Sequence, residues 1–418
     1  MAEFFNVLPP DEARALLLAR LTHRVAAEVV PTREAVGRVT AAAVAAAHDL
    51  PAFRRSTMDG YAVRAADTHG ASDSLPAFLQ VVGEVPMGQP AAVVLAPGQA
   101  AIVHTGGMLP ETADAVVQIE HTQRLPTASE IQNPKSEIEV FRPVAAGQNV
   151  LQVGEDVRRG AEILPAGQWL RPQDLGGLLA LGIVAVRVAR RPRVGILATG
   201  DEVVAPEETA AAGQIRDINS YTIGGQVVQA GGAPLYGGIV PDALAALETA
   251  AAQLLAESDM LVMSAGSSVS VRDITVRVID GLGAPGVLLH GVATRPGKPT
   301  IVGVVGGKPV LGLPGNPVSA MIQFDMFGVA AIARLMGAER PWRRGVVWAR
   351  LTQNVASESG REDYVPARLA EGDAGLLATP VFGKSNLIYT LVNADGLIKV
   401  PLNKGGVLAG ELVEVRLF

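Results

Sequence analysis

Between residues 193 and 338, short apolar runs and helix-length segments take turns, and this alternation limits the fold more than any other feature of the chain. The runs are VGILA (194–198), PLYGGIV (234–240), MLVMSA (260–265), TIVGVV (300–305) and PVLGL (309–313). Each has strand length. Residues 220–230, 243–256, 274–282 and 317–336 carry helical patterning between or after them. Strands alternating with helices predict a mostly parallel α/β sheet covered on both faces, and therefore runs that are apolar throughout. Crossovers in such a sheet are right-handed in nearly all cases. Ligands bind beyond the carboxyl ends of the strands, so the residues after each run are where chemistry is expected.

The flanking regions differ in texture. Residues 10–48 read as helical: Asp11 can cap, and Ala15, Leu16, Leu17, Leu21 and Val25 follow helix spacing. A second Ala/Val-rich segment covers 39–47. Residues 50–142 break into Val/Ile runs divided by Gly and Pro, which predicts a β-rich module inserted between helical segments. A helix is expected over 172–181. Residues 342–418 return to short alternating strands, the pattern of a small barrel or sandwich.

The chain has 418 residues, enough for three or four domains. Apolar residues make up 49% and charged residues 18%, so a large core is expected rather than disorder. No cysteine is present, which excludes disulfides, thiolate catalysis and cysteine-held zinc or iron–sulfur centres. A net charge of -6 argues against nucleic-acid binding, though a local site can still be basic. The first residues carry acids early and do not read as a secretory signal. The apolar run 175–186 is too short to span a bilayer. The expectation is a cytoplasmic protein with neither a membrane nor a nucleic-acid partner.

The predicted carboxyl edge is rich in functional groups. Asp201 and Glu202 follow the first run, and Asp242 follows the second. A seryl turn with Ser267 and Ser268, then Asp273, follows the third. Asp242 and Asp273 also stand where helix N-caps are expected, and a cap accounts for either one alone. Asp201 and Glu202 are adjacent, so only one is expected to face the site. Carboxylates repel phosphates and need a bridging cation, for which Mg²⁺ is the natural choice. Walker A, G-x-S-x-G and a complete Rossmann glycine fingerprint are all absent. The histidines lack metal-ligand spacing.

The segment 295–319 adds the opposite charge. It reads RPGKPTIVGVVGGKPVLGLPGNPVS. Pro317 suits the first helical position, and Asn316 before it is biased toward the extended geometry of an N-cap. A helix starting there presents backbone N–H groups and a positive dipole end near Gly315, Asn316 and Ser319. With Arg295 and Lys298 nearby, this predicts an oxyanion site; a tight strand-to-helix turn with two solvated charges is the plainer alternative.

These motifs together resemble the molybdopterin molybdenumtransferases, the family of MoeA and the gephyrin E domain. The matching residues are MDGYAVR (58–64), TGG (105–107) with ADAVV (113–117), GED (154–156), TGDE (199–202), Pro241-Asp242, PGKP (296–299) and GLPGNPVS (312–319). They run in the family's order over nearly the whole chain. Two departures are Ser270 for a common glycine and Arg295 for a common lysine.

The resemblance implies four domains: a segmented helical domain (1–48 with 144–188), an inserted β-rich domain (49–143), an α/β domain of the MoaB/MogA type (189–340) and a C-terminal β-barrel (341–418). It implies that Asp59, Thr105, Asp156, Glu202 and Asp242 serve catalysis, with Glu202, Asp242 and Asp273 at the metal. Arg295 and Lys298 would hold molybdate or phosphate, and Ser385 matches a serine of the C-terminal cleft. The implied reaction joins molybdate to adenylylated molybdopterin and releases AMP, with Mg²⁺ as cofactor. The implied assembly is a homodimer with a site shared between subunits, and a molybdopterin adenylyltransferase is a further partner. A tungstate-preferring paralogue and a non-catalytic gephyrin-like scaffold are the alternatives.

Overall fold

The computed structural model describes residues 7–125, 136–265, 269–342, 345–373 and 375–418. The chain forms two compact units. The first comprises Met1–Ala42, Ala166–Leu175 and Val184–Phe418; the second comprises Ala43–Pro165 and Gly176–Ile183.

The first unit is built around a six-stranded sheet. Its order is Ala233–Val240, Arg193–Thr199, Met260–Ala265, Lys308–Pro314, Ile301–Val305, Pro285–His290. The first four strands are parallel; Ile301–Val305 runs against them, and Pro285–His290, antiparallel to it, returns to their direction. The edge strand Pro285–His290 has no counterpart among the expected runs. Side chains alternate between two cores. Val194, Ile196, Met260 and Val262 face one, with Ile223 and Val227 of helix Asn219–Gln229. Leu197, Leu261 and Met263 face the other, with Leu247, Ala251 and Leu254 of helix Leu244–Glu257. Covering both faces is why these strands read as unbroken apolar runs.

Residues 317–335 form one helical stretch: Pro317–Gln323, a π-helical turn Phe324–Gly328, then Val329–Leu335. By length and composition this stretch could cross a membrane, but 78% of it is buried in the core. Burial on all sides explains its apolar character.

Ala13, Leu17 and Leu21 bring the N-terminal helix Pro10–Arg20 onto the first core. Its N-cap is Pro9, not Asp11, which pairs instead with Arg14 at 2.6 Å. Residues 39–47 form isolated bridges and the short strand Val44–Ala45 rather than a helix. The buried carboxylate of Asp259 ties residues 23 and 190 to the sheet. It accepts from Arg190 (2.9 and 3.0 Å) and the Arg193 amide (2.7 Å), and pairs with His23 at 2.9 Å. Burial alone would raise its pKa, but these partners hold it below the ordinary value.

The C-terminal part closes into a five-stranded barrel. Glu362–Gly372 pairs with Gly375–Pro380, which pairs with Val346–Leu351, then Leu412–Leu417, then Gly396–Val400, which returns to Glu362–Gly372. Ala349, Leu351, Ala367, Ala378, Ile398 and Val415 fill its interior.

The second unit holds a mixed six-stranded sheet in the order Ala115–Gln118, Gly60–Val63, Gln99–Val103, Ala77–Glu84, Glu137–Val140, Thr122–Leu125. Tyr61, Val63 and Val117 enter one core, while Ala62 and Val116 enter the other. Gly60 opens its strand where a Cβ would lie 2.0 Å from the Val117 carbonyl oxygen, so only glycine fits.

Candidate active site

The 295–319 segment owes its shape to contacts beneath it. Thr294–Arg295 pairs in parallel with Glu362 and Asp363, which adds a short sixth strand to the barrel. The turn that follows rests on Gln323, which is fully buried. Its Nε2 donates to Thr294 Oγ1 and to the Pro296 carbonyl, both at 3.0 Å. Gly297 adopts φ +111°, and a Cβ there would lie 2.3 Å from Gln323 Nε2. Thr300 Oγ1 donates to the Gly297 carbonyl at 2.6 Å and closes the turn. Lys298 is thereby carried on a backbone that is held at every step.

This loop forms one wall of a cleft of about 990 Å³ within the first unit. Arg295, Lys298, Asn316, Ser319 and Ser385, all sequence-predicted, line it. Arg361 and Lys384 add two cations from the barrel side, against Glu358 and Asp363. The cleft is net positive. Tyr364 also lines it; burial pushes its phenol well above the usual range, and the hydroxyl donates to Glu362 Oε2 at 2.6 Å.

Asn316 is the N-cap, with φ −67° and ψ 122°, but its side chain caps nothing. Its Nδ2 donates to Ser385 Oγ at 3.0 Å, and the Val318 amide donates to the Ser385 carbonyl at 3.1 Å. The helix start is therefore less bare than its sequence implies. Pro317 has no N–H, and a barrel loop already takes the next one. An anion in this cleft would meet side-chain cations more than the helix end.

The carboxylates lie elsewhere on the sheet edge and do not line the cleft. Asp242 is not an N-cap: helix Leu244–Glu257 is capped by Ala243. Instead Asp242 Oδ1 accepts from Thr199 Oγ1 at 2.6 Å, and the Asp242 amide donates to Asp201 Oδ1 at 3.2 Å. Asp201 is thus the member of the adjacent pair that meets Asp242. Asp273 is exposed and sits inside helix Val269–Gly281 rather than capping it. Ser270 lies in the same helix, a conformation open to any residue, so the departure from glycine there needs no special backbone. Ser267 and Ser268 lie outside the described residues. Gly315 lies at the same edge, where its carbonyl accepts from Asn219 Nδ2 at 2.8 Å.

Among the described residues, no three His, Asp or Glu side chains are gathered to hold a metal ion, so Glu202, Asp242 and Asp273 do not form a closed ligand set. Mg²⁺ asks for less. It keeps several waters and takes one or two carboxylates plus substrate phosphate oxygens. Asp201 and Asp242 meet that smaller requirement, since Oδ2 of each has no protein partner among the described residues.

In the second unit, Asp59 and Thr105 come together although they are far apart in sequence. Thr105 donates to Asp59 Oδ1 through its amide at 2.7 Å and its hydroxyl at 3.0 Å. The Thr105 amide, then the hydroxyl, lowers the Asp59 pKa and keeps the carboxyl ionised. Asp156 is exposed, and its amide donates to the Leu50 carbonyl.

Sequence reasoning missed Arg361, Asp363 and Asn219. Asn219 is buried, and its Nδ2 also donates to Ser264 Oγ at 2.8 Å, which joins the ends of two strands. Its Oδ1 is buried and has no partner among the described residues. A buried Asn opening a helix beside a sheet edge was the available signal.

Three family models match the chain. They are the MoeA N-terminal region (domain I and II) over 8–182, a probable molybdopterin binding domain over 195–334 and the MoeA C-terminal region (domain IV) over 348–418. A putative molybdopterin biosynthesis protein of Methanocaldococcus jannaschii is 34% identical, the match covering 99% of this chain and 98% of that protein. The molybdopterin molybdenumtransferase of Bacillus subtilis is 33% identical over 100% of this chain and 95% of its own length. The crystal structure of a molybdopterin biosynthesis moeA protein from Pyrococcus horikoshii OT3 superposes with a TM-score of 0.85 at 33% identity, covering 99% and 100% of the two chains.

Proposed function

The chain belongs to the MoeA family of molybdopterin molybdenumtransferases, and from that membership we propose that it joins molybdate to the dithiolene of adenylylated molybdopterin with release of AMP. It is an enzyme of molybdenum cofactor biosynthesis. The observation that carries the finer reading is the cationic cleft, in which Arg295, Lys298, Arg361 and Lys384 surround the space beside Asn316, Ser319 and Ser385. A dianionic oxyanion suits that charge, and guanidinium forks match its oxygens.

Sheet geometry supports an elongated substrate. Asp242 follows the edge strand, Asp201 and Glu202 the next, and Gly315 and Asn316 the fourth. Strands lie about 4.8 Å apart, so the carboxylates and the cleft are separated by roughly 10–14 Å along one rim. That suits a molecule with its phosphoanhydride at one end and its metal-accepting sulfurs at the other. The cleft residues would orient molybdate toward those sulfurs, and Asp201, Glu202 and Asp242 would place the anhydride for attack by water. Mg²⁺, when bound at Asp201 and Asp242, would supply charge neutralisation on the phosphoryl oxygens. Asp59 and Thr105 of a second subunit would complete the site in a homodimer. Asp156, Ser267 and Ser268 keep the roles implied by family resemblance. We place the protein in the cytoplasm, fed by an adenylyltransferase.

The test is direct. Purified protein is incubated with adenylylated molybdopterin, Mg²⁺ and either molybdate or tungstate, and AMP is measured. AMP release that saturates with molybdate is expected. No release, or release indifferent to the oxyanion, refutes the reading, and saturation by tungstate alone reassigns the metal.

A further inference from the structure

Asp363 is an anomaly in a cleft that collects cations. Its carboxylate sits in the cleft wall and is only 2% exposed. A buried charge is costly unless it is paired and hydrogen-bonded, and a negative one weakens the field that an anion would feel. Its partners explain it. Oδ1 accepts from Arg361 Nε at 3.0 Å, and Oδ2 lies 3.8 Å from Arg295 NH1. Arg361 is also held by Glu358 at 2.9 Å. Arg295 comes from the α/β side and Arg361 from the barrel side. The parallel pairing sets Arg295 directly opposite Asp363, so one carboxylate meets both guanidiniums. Without it, the two guanidiniums lose the one carboxylate they share, and among the described residues only Glu358 still holds Arg361.

We propose that Asp363 is a positioning residue: it aims the Arg295 and Arg361 guanidiniums at the oxyanion and determines oxyanion affinity through them. This rests on the cleft being the oxyanion site. Two physical effects oppose each other at this position. Removing the charge strengthens the positive field of the cleft, whereas releasing the guanidiniums loosens the bidentate forks that recognise oxygen pairs. The second effect dominates, because a fork gains its advantage from fixed geometry and the Asp363 charge is already offset by the guanidiniums it pairs with.

The experiment measures molybdate binding by equilibrium dialysis with the full chain, alongside the molybdate dependence of AMP release. Asp363→Asn is expected to weaken binding at least tenfold and to raise the half-saturating molybdate concentration more than it lowers kcat. Asp363→Glu is expected to fall between the two, and it carries the test if Asp363→Asn fails to fold. Because Asp363 acts in part through Arg361, Arg361→Ala with Asp363→Asn is expected to lose less than the sum of the two single losses. Unchanged or tighter molybdate binding by Asp363→Asn, or additive losses in the double variant, overturns the proposal. Wild-type protein that binds molybdate but releases no AMP sinks the proposed function while dialysis still decides the role of Asp363. Wild-type protein that binds no oxyanion sinks both.

Discussion

Replacing Gly297 by alanine tests whether the cationic loop is held as rigidly as its contacts imply. Two costs add. A residue with a Cβ at φ +111° leaves its comfortable backbone range, at about 1–2 kcal/mol. The new methyl also falls 2.3–2.5 Å from three atoms of the Gln323 side chain. Gln323 could rotate away, but only by giving up its bonds to Thr294 and the Pro296 carbonyl, each worth about 0.5–1.5 kcal/mol net. The total is about 2–5 kcal/mol. For a unit of this size each kcal/mol moves Tm by roughly 2 °C, so a drop of roughly 4–10 °C is expected. Gly306→Ala is the control. Its φ is also positive, but a Cβ there meets nothing within 4 Å, so only the backbone cost applies. The assay is differential scanning calorimetry of both variants with the molybdate dependence of AMP release. If the loop yields instead, stability is spared and the half-saturating molybdate concentration rises as Lys298 shifts. A Gly297→Ala protein matching the Gly306→Ala control in Tm and the wild type in molybdate dependence would refute the reasoning.

Asp242→Asn keeps the size of the side chain and removes its charge; AMP release is expected to fall at least a hundredfold, with Tm within about 1 °C of wild type, and a fully active variant removes Asp242 from the mechanism. Asp259→Asn breaks a buried ion network and is expected to cost about 3 kcal/mol at neutral pH. Because the folded-state pKa of Asp259 is depressed, its contribution is complete above the unfolded value near 3.9 and is lost as pH falls through the folded value. Thermal melts should show a gap between wild type and variant that is steady above about pH 5 and closes below pH 4; a gap that widens in acid contradicts the assignment. Mixing Asp59→Asn with Asp242→Asn protein should recover part of the AMP release if subunits share a site, and verified heterodimers without recovery place the site within one chain.

The parallel strands were legible because both of their faces are covered, which leaves little room for polar residues to interrupt the run: Met260 to Met263 alternates between two cores and still reads as one apolar block. Pro285–His290 was not legible for the opposite reason. It is an edge strand, half-buried and opened by Pro-Gly, which looks like a turn. Its neighbours form a hairpin across Gly306-Gly307, both at positive φ, and a two-residue glycine loop between apolar runs is itself a hairpin signal. The Ala-rich stretch 39–47 misled in the other direction: alanine favours helix, but bridges such as Val39 to Trp169 and Thr40 to Val188 outweigh a weak propensity.

The candidate site divides along the same line. Residues whose chemistry is carried by a local motif, such as Lys298 between prolines or Asn316 before Pro317, could be named from the chain alone, because their backbone is shaped by immediate neighbours. The contacts that define other residues could not be read there. Asp242 looked like a cap until Thr199 and Asp201 claimed it, and Asp59 had no visible reason to meet Thr105. Arg361 stands just before an ordinary barrel strand and Asp363 within it, and only the short ladder to Thr294 and Arg295 turns them into part of the cleft wall. A carboxylate in a cationic cleft is the kind of conflict that local rules cannot anticipate, because its cost and its use both depend on which charges the fold brings beside it. It follows that variants of the motif residues should act one at a time, whereas variants around Asp363 should couple, and measured coupling among Arg295, Arg361 and Asp363 distinguishes an aimed cluster from three independent charges.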